Sequence, residues 1–228
     1  MKISKEFSKY AQSYDNLNSI QNLVAKKLVS LVKTEPQCIL DLGCGSGAVC
    51  KAIPWHYKSL TGVDFAEGML ALHPVSKSIQ SIYGDFNNEN FVNVLHKEKF
   101  DFIFSSSSLQ WADKLEKIFQ DISALDTPVA FAIFTSNTFK TLNNTASLNS
   151  FLRTSEELYT LQEKYFNASF EIVEYKLEFE NVRDMFQYIK KSGVSGSRKV
   201  LNYTETKNLM KNYPLNYLEF EVVFITSY

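Results

Sequence analysis

Glycines and an acidic residue follow an apolar run early in the chain, in a pattern that suits a nucleotide-type ligand. Asp41 closes the apolar run, and glycines follow at the alternate positions 43, 45 and 47. Glycine permits the unusual dihedral angles of a tight turn and lets a ligand approach the backbone closely. A helix that begins after the turn, near Ala48, would direct free N–H groups toward an acidic or polar ligand group.

The glycine spacing by itself is a weak signal. The pattern Gly-x-Gly-x-Gly differs from the dinucleotide fingerprint, which would place a third glycine at Ala48. A plain structural turn would explain a glycine pattern after a strand equally well. The functional interpretation therefore depends on further polar residues in register with the turn.

Two later acidic residues are in register with the turn. Asp64 closes a second apolar run, and Asp85 closes a third. In an open α/β sheet, ligands bind outside the carboxyl ends of the strands, where the strand order reverses. A carboxylate after the second strand can accept both hydroxyls of a ribose, and one after the third can accept the exocyclic amine of adenine. The alternative is three acidic strand ends that are only solvated.

Alternating strand and helix patterns predict a parallel sheet with helices on both faces. Strands are predicted at 39–42, 60–65, 79–83, 100–105, 129–135, 170–180 and 217–226. Helices are predicted at 4–32, 114–125, 155–164, 182–192 and 205–212. The pattern Thr154-Ser155-x-Glu157 predicts a capping box at the start of the third helix.

The length of 228 residues suits a single domain, 1–228, with an N-terminal helical segment at 1–32. Residues 136–169 lack a strong strand pattern, and we expect them to form a cap over the ligand crevice. The alternative is that their helices only cover the sheet.

Composition narrows the class of protein further. A formal net charge of −1 gives no basic field for nucleic acid. The sequence has no run of about eighteen apolar residues and no secretory leader, so neither a membrane span nor export is expected. The spacing of its three cysteines fits no disulfide framework, which favours a reducing, cytoplasmic location. The three histidines are scattered, and no metal site is expected.

The turn at 41–47, followed by Asp64 and Asp85, resembles the class I S-adenosylmethionine-dependent methyltransferases. The resemblance implies a Rossmann-like fold: a seven-stranded, mostly parallel sheet with helices on both faces and a helical cap inserted after the fifth strand. It implies S-adenosylmethionine as cofactor and S-adenosylhomocysteine as product, with no metal. The cofactor contacts that it implies are Tyr10, Asp41, Gly43, Cys44, Gly45, Gly47, Asp64, Phe65, Met69, Gly84, Asp85, Phe86, Ser105 and Ser106.

Four short segments are similar to the malonyl-acyl-carrier-protein O-methyltransferases of biotin synthesis. They are the "F…A..YD" element at 7–15, a Gln-Trp segment at 107–111, a cap-helix start at 151–157 and a Lys-x-x-Gly segment at 189–194. The chain departs from the family in having serine at 105–106, where asparagine is usual, and in lacking a Pro-Gly-Gly turn at 125–128.

The resemblance implies methyl transfer to the free carboxylate of a malonyl thioester on acyl carrier protein or coenzyme A. Such a carboxylate is ionised near neutral pH, so catalysis needs orientation and exclusion of water, not a strong base. Tyr14 is a candidate to orient the carboxylate, Gln110 to donate a hydrogen bond and Trp111 to wall the pocket. For Tyr14 and Trp111 the alternative is a role in packing.

A carrier protein is acidic, so its docking site should be locally basic. The basic residues proposed for docking are Arg153, Lys190, Lys191, Arg198 and Lys199. The alternative is a solvated, charged surface. We expect a monomer.

Three other functions remain as alternatives at this point. A methyltransferase for trans-aconitate or a quinone precursor would share the cofactor half and would not need a basic patch. A nucleotide-binding dehydrogenase is disfavoured by Ala48 and by the Gly84-Asp85 pair. A non-catalytic module that binds S-adenosylmethionine is disfavoured by the complete set of acidic residues and glycines.

Overall fold

The seven predicted strands form one sheet in the computed structural model, which describes residues 18–88, 91, 99–191 and 201–227. Apolar, β-branched runs account for most of the strands. Their bounds are β1 Cys38–Leu42, β2 Ser59–Asp64, β3 Ile79–Tyr83, β4 Phe102–Ser106, β5 Val129–Phe134, β6 Ala168–Glu178 and β7 Tyr217–Ser227.

The strand order is β3-β2-β1-β4-β5-β7-β6, and β7 runs antiparallel to both of its neighbours. The strands from β1 to β5 pair in parallel. The chain therefore moves outward from β1 to β3 in one direction and from β4 to β5 in the other. A crevice opens at the carboxyl ends of the strands on either side of such a switch point. The architecture confirms the predicted Rossmann-like class I methyltransferase fold.

Helices on both faces of the sheet connect the strands. Their bounds are α1 Ser19–Ser30, α2 Ala48–Ala52, α3 Glu67–Leu70, α4 Leu115–Ser123, α5 Lys140–Thr145, α6 Ser155–Tyr165, α7 Val182–Lys191 and α8 Tyr203–Asn212. A 3₁₀ turn at Leu109–Trp111 follows β4. α5 was not predicted from the sequence, and neither was the 3₁₀ turn.

The central strands are buried on both faces, as parallel strands covered by helices must be. On one face, Phe102 and Phe104 of β4 pack in a cluster that includes Ile20 of α1. On the other face, Phe131 of β5 stacks against Phe119 of α4, with 5.6 Å between the ring centroids. These two apolar layers hold β4 and β5 in the sheet, and the carboxyl end of β4 borders the crevice.

The predicted capping box starts α6. The Thr154 hydroxyl accepts a hydrogen bond from the Glu157 N–H at 3.2 Å, and the Glu157 carboxylate accepts one from the Thr154 N–H at 2.7 Å. The two bonds give partners to the backbone N–H groups of Thr154 and Glu157, which have no acceptor within the helix. α5 and α6 lie between β5 and β6, in the segment predicted to form a cap.

No helix in the described part of the chain is both long and apolar enough to cross a membrane. Cys38, Cys44 and Cys50 are free thiols.

Candidate functional site

A crevice lies at the carboxyl ends of β1, β2 and β4, where Asp64 meets two glycines of the turn, Gly43 and Gly45. It encloses about 610 Å³, counting the space that is open to solvent. Its lining residues are Asn18, Gln21, Gly43, Cys44, Gly45, Ser46, Ala48, Asp64, Phe65, Met69, Phe86, Ser106, Ser107, Ser108 and Trp111.

The glycine turn has left-handed backbone at all three alternate positions. The φ angles are +70° at Gly43, +51° at Gly45 and +87° at Gly47. A Cβ at Gly43 would lie 2.2 Å from the Cβ of Ser108, and a Cβ at Gly47 would lie 2.6 Å from Pro74 Cδ. Close packing of the protein against these two glycines is therefore a reason for glycine beyond the predicted approach of a ligand.

Asp64 fastens the glycine turn to the end of β2. Its carboxylate accepts hydrogen bonds from the Gly45 N–H at 2.9 Å and from the Ala66 N–H at 2.8 Å. Burial raises the pKa of this carboxyl, and the two backbone donors oppose the shift. Each carboxylate oxygen keeps a second lone pair, so Asp64 can also accept a hydrogen bond from a ligand.

Asp41 lies beneath the turn and is 1% exposed. Neither of its carboxylate oxygens has a hydrogen-bond partner among the described residues. Burial raises the pKa of its carboxyl to about 8, and the charge of Asp64 adds to the shift. A buried acid without partners is costly when ionised, so a cationic ligand above it would favour the charged form.

We expect the Asp41→Asn variant to gain stability over the unmodified protein as the pH rises. The unfolded chain loses the Asp41 proton near the ordinary pKa of 3.8, whereas the folded chain keeps it until about pH 8. The folded protein therefore loses stability across that window, at up to about 1.4 kcal/mol per pH unit. Asparagine cannot titrate, so the difference in unfolding free energy between the two proteins should grow from pH 5 to pH 7.

Urea unfolding of the cofactor-free proteins at several pH values measures this difference. The informative quantity is its dependence on pH, because the amide adds a constant cost of its own. A difference that stays constant with pH would contradict the burial of a protonated Asp41.

The end of β3 is followed by Gly84, Asp85 and Phe86, of which Phe86 reaches the crevice. The Gly84 N–H donates to the Asp64 carbonyl at 3.0 Å, which ties the two strand ends together. The Asp85 carboxylate accepts from the Asn87 N–H at 2.9 Å. Phe65, Met69 and Phe86 line the crevice, whereas Asp85 is half-buried and lies outside its lining.

The serines at 105–108 begin within β4 and differ in their hydrogen bonds. The hydroxyls of Ser105 and Ser108 both donate to the Leu42 carbonyl, at 2.8 and 2.9 Å, and brace the turn from below. Ser106 and Ser107 line the crevice, and their buried hydroxyl oxygens have no partner within the described ranges. Ser107 is left-handed, with a φ of 58°. Of the two predicted serines, Ser106 therefore lies in the crevice wall and Ser105 lies behind it.

The two proposed catalytic residues of the 3₁₀ turn have different surroundings. The Gln110 amide donates to the Ser107 carbonyl at 2.7 Å and holds the left-handed turn, and it is not in the crevice lining. Trp111 lines the crevice and stacks on Phe151, with 5.5 Å between ring centroids. Trp111 therefore has the position of a pocket wall.

Several predicted site residues lie outside the described part of the chain. Tyr10, Tyr14, Arg198 and Lys199 belong to this group, and the side chains of Lys190 and Lys191 in α7 do as well. Arg153 is described and half-buried, and its guanidinium donates to the Ala112 carbonyl at 2.8 Å. Arg153 also lies near Asp113 and Glu157, at the start of α4 and of α6.

Two amides at the start of α1 line the crevice and were not predicted from the sequence. Asn18 is 3% exposed and Gln21 is 7% exposed, and both line the crevice. They lie three residues apart, on the side of the helix that is otherwise apolar and buried. Polar residues on a buried helical face were the signal that could have found them. Ser46, Ala48, Ser107 and Ser108 of the lining were also not predicted as site residues.

No group of three or more metal-ligating side chains occurs in the ranges that the structure describes. The lining of the crevice contains no lysine, arginine or histidine among these residues. Its acidic groups are Asp64 and, beneath the turn, Asp41, so the crevice suits a cationic ligand better than a phosphate.

Comparisons with known proteins agree with the fold. Residues 40–134 match the family described as "Methyltransferase domain". Malonyl-acyl-carrier-protein O-methyltransferase 2 of Coxiella burnetii is 30% identical over 193 residues, which cover 75% of each chain. The malonyl-acyl-carrier-protein O-methyltransferase of Bacillus cereus is 31% identical over 166 residues, covering 68% of this chain and 59% of that protein.

A solved structure shows the same fold. The SAM-dependent methyltransferase from Thermotoga maritima superposes with a TM-score of 0.57 at 17% sequence identity. The superposition covers 98% of this chain and 99% of that one.

Proposed function

The chain belongs to the malonyl-acyl-carrier-protein O-methyltransferase family, and on this basis we propose that it methylates the free carboxylate of a malonyl thioester. The proposed methyl donor is S-adenosylmethionine, the proposed carrier is acyl carrier protein, and the product belongs to an early step of biotin synthesis. The observation that carries the proposal is an acidic crevice at the switch point of a methyltransferase fold.

The described residues of the crevice fit S-adenosylmethionine. This cofactor carries a sulfonium and an ammonium group, which the buried carboxyls of Asp41 and Asp64 complement in charge. Asp64 accepts hydrogen bonds from the Gly45 and Ala66 N–H groups, and its remaining lone pairs are the proposed acceptors for the ribose hydroxyls. A dinucleotide would instead bring a pyrophosphate to a wall that has acidic charge and no basic residue among its described members.

When bound, S-adenosylmethionine supplies an electrophilic methyl group, so that an O–CH₃ bond forms as the S–CH₃ bond breaks and S-adenosylhomocysteine leaves. The protein's part is to hold the malonyl carboxylate in line and to exclude water. Neutral donors suit this task, because a tight ion pair would weaken the nucleophile. The amides of Asn18 and Gln21 line the crevice and provide such donors.

Residues at the end of α7 are proposed to dock the carrier protein. The basic residues at 190–191 and 198–199 follow one another closely in the sequence, and an acidic carrier would meet them in a transient, salt-sensitive encounter. Arg153 is bound to the turn after Trp111 and is a separate candidate for docking.

Reversing the charge of both lysines, Lys190→Glu with Lys191→Glu, should raise KM for malonyl-carrier protein about tenfold. The basis is the loss of two charge contacts worth a fraction of a kcal/mol to about 1 kcal/mol each. Malonyl-pantetheine, which lacks the acidic protein, should keep its KM, and cofactor affinity should not change. An unchanged KM for malonyl-carrier protein would remove these lysines from the docking site.

Release of S-adenosylhomocysteine in the presence of alternative acceptors tests the proposed function against its rivals. We expect turnover with malonyl-carrier protein and none with trans-aconitate or a quinone precursor. Turnover with only one of the small acceptors would show that this acceptor, and not the malonyl thioester, is the substrate. Binding of S-adenosylmethionine with no turnover on any acceptor would favour a non-catalytic module.

A further inference from the structure

Two stacked aromatic rings stand at the mouth of the crevice. Trp111 lines the crevice, and Phe151 stacks on it with 5.5 Å between ring centroids and 28° between ring planes. Phe151 comes from the segment between α5 and α6, so the pair joins the turn after β4 to the insertion after β5. The rings extend an apolar wall from the crevice toward solvent.

Hydrogen bonds on both sides hold the turn that carries Trp111. The Asn87 side chain donates to the Trp111 carbonyl at 3.3 Å and accepts from the Asp113 N–H at 2.8 Å. From the other side, the guanidinium of Arg153 donates to the Ala112 carbonyl at 2.8 Å. These bonds fix the backbone of the turn that carries the indole before any ligand binds, as a preorganised binding surface requires.

Phe151 keeps part of its apolar ring surface in water. Phe151 is 39% exposed, although it is a large apolar side chain whose other face is already stacked. Exposed apolar surface that continues a ligand crevice is typical of a subsite. Most of the crevice residues assigned to the cofactor follow β1, β2 and β3, whereas Trp111 follows β4 and Phe151 lies in the insertion between β5 and β6.

We propose that the Trp111–Phe151 ring pair is the subsite for the thioester-bearing arm of the substrate. This inference rests on the proposed function, since a malonyl group reaches its carboxylate-binding position at the end of a pantetheine arm. The methylene and amide groups of that arm would lie along the rings and bury their exposed apolar surface. Free malonate has no arm and would not contact the ring pair.

Fluorescence of a single tryptophan tests the subsite directly. The chain has two tryptophans, and Trp55 donates to the Pro36 carbonyl at the opposite edge of the sheet. The Trp55→Phe variant therefore leaves Trp111 as the only indole. Malonyl-pantetheine is titrated into this protein in the presence of S-adenosylhomocysteine, which prevents turnover. We expect a saturable change in Trp111 emission, and none with free malonate.

Phe151 is then varied in the same background. Phe151→Ala should weaken the affinity for malonyl-pantetheine about tenfold, the loss expected for one well-buried aromatic contact. Affinity for S-adenosylhomocysteine should change by less than about twofold, which also shows that the protein is folded. Phe151→Tyr keeps the ring and should retain the affinity for malonyl-pantetheine.

Other outcomes would overturn the inference. Undiminished binding of malonyl-pantetheine by Phe151→Ala would remove the ring from the subsite. Equal losses for both ligands would assign the pair to the cofactor half instead. A protein with Phe151 intact that neither binds nor methylates malonyl-pantetheine would contradict the proposed function as well as the subsite. That outcome is distinguishable from undiminished binding by Phe151→Ala, which contradicts only the subsite.

Discussion

Asp64→Ala should lower the affinity for S-adenosylmethionine by at least about 100-fold, because one side chain has two tasks in the site. Its carboxylate holds the Gly45 and Ala66 N–H groups, at 2.9 and 2.8 Å, and so fixes the glycine turn before any ligand arrives. The same oxygens are the proposed acceptors for the ribose hydroxyls. Alanine removes the ligand contact and leaves the two backbone donors to find other partners.

Titration calorimetry with S-adenosylmethionine measures the effect. Asp121→Ala is a matched control, because Asp121 pairs with Lys117 along α4, outside the crevice lining. Its affinity should equal that of the unmodified protein. Asp64→Ala protein that is folded, as judged by circular dichroism, and binds with undiminished affinity would contradict the role given to this carboxylate.

Gly43→Ala should destabilise the folded protein by at least about 3 kcal/mol. An alanine at a φ of +70° costs about 1–2 kcal/mol on its own. The added Cβ would also lie 2.2 Å from the Cβ of Ser108, which is held to the Leu42 carbonyl at 2.9 Å. Either the glycine turn or the turn after β4 must move, and both line the crevice.

Gly45→Ala is the matched control for this effect. Gly45 is also left-handed, but a Cβ there would meet Met69 Cε at 3.4 Å, an ordinary contact with a flexible side chain. We expect it to lose only about 1–2 kcal/mol, the backbone cost. Urea unfolding of both variants gives the comparison, and Ser108→Gly should restore part of the stability of Gly43→Ala. Equal losses at the two glycines would show that packing against Ser108 is unimportant.

The sequence predicted the frame of the site because that frame depends on local signals. Apolar runs ending in Asp41 and Asp64 predicted β1 and β2 to within one residue at each end, and the prediction for β3 matched its bounds. Because parallel strands place their carboxyl ends at one edge of the sheet, residues at three strand ends meet in one crevice. The capping box at Thr154 is local in the same sense and was confirmed.

The parts of the site that were missed depend on contacts between distant segments. The packing of Ser108 against Gly43 joins residues far apart in sequence, and no local pattern reports it. The orientation of Gln110 toward the Ser107 carbonyl follows from a left-handed serine, a conformation that serine rarely adopts. The contact between the Arg153 guanidinium and the Ala112 carbonyl also joins residues that are far apart in the sequence, so no local pattern predicted it.

The most direct test of the proposed function is the intact mass of malonyl-carrier protein after incubation with this protein and S-adenosylmethionine. We expect a gain of one methyl group on malonyl-carrier protein and none on acetyl-carrier protein, which lacks the free carboxylate. An unchanged mass for malonyl-carrier protein, in a sample that binds S-adenosylmethionine, would contradict carboxyl methylation of the malonyl thioester.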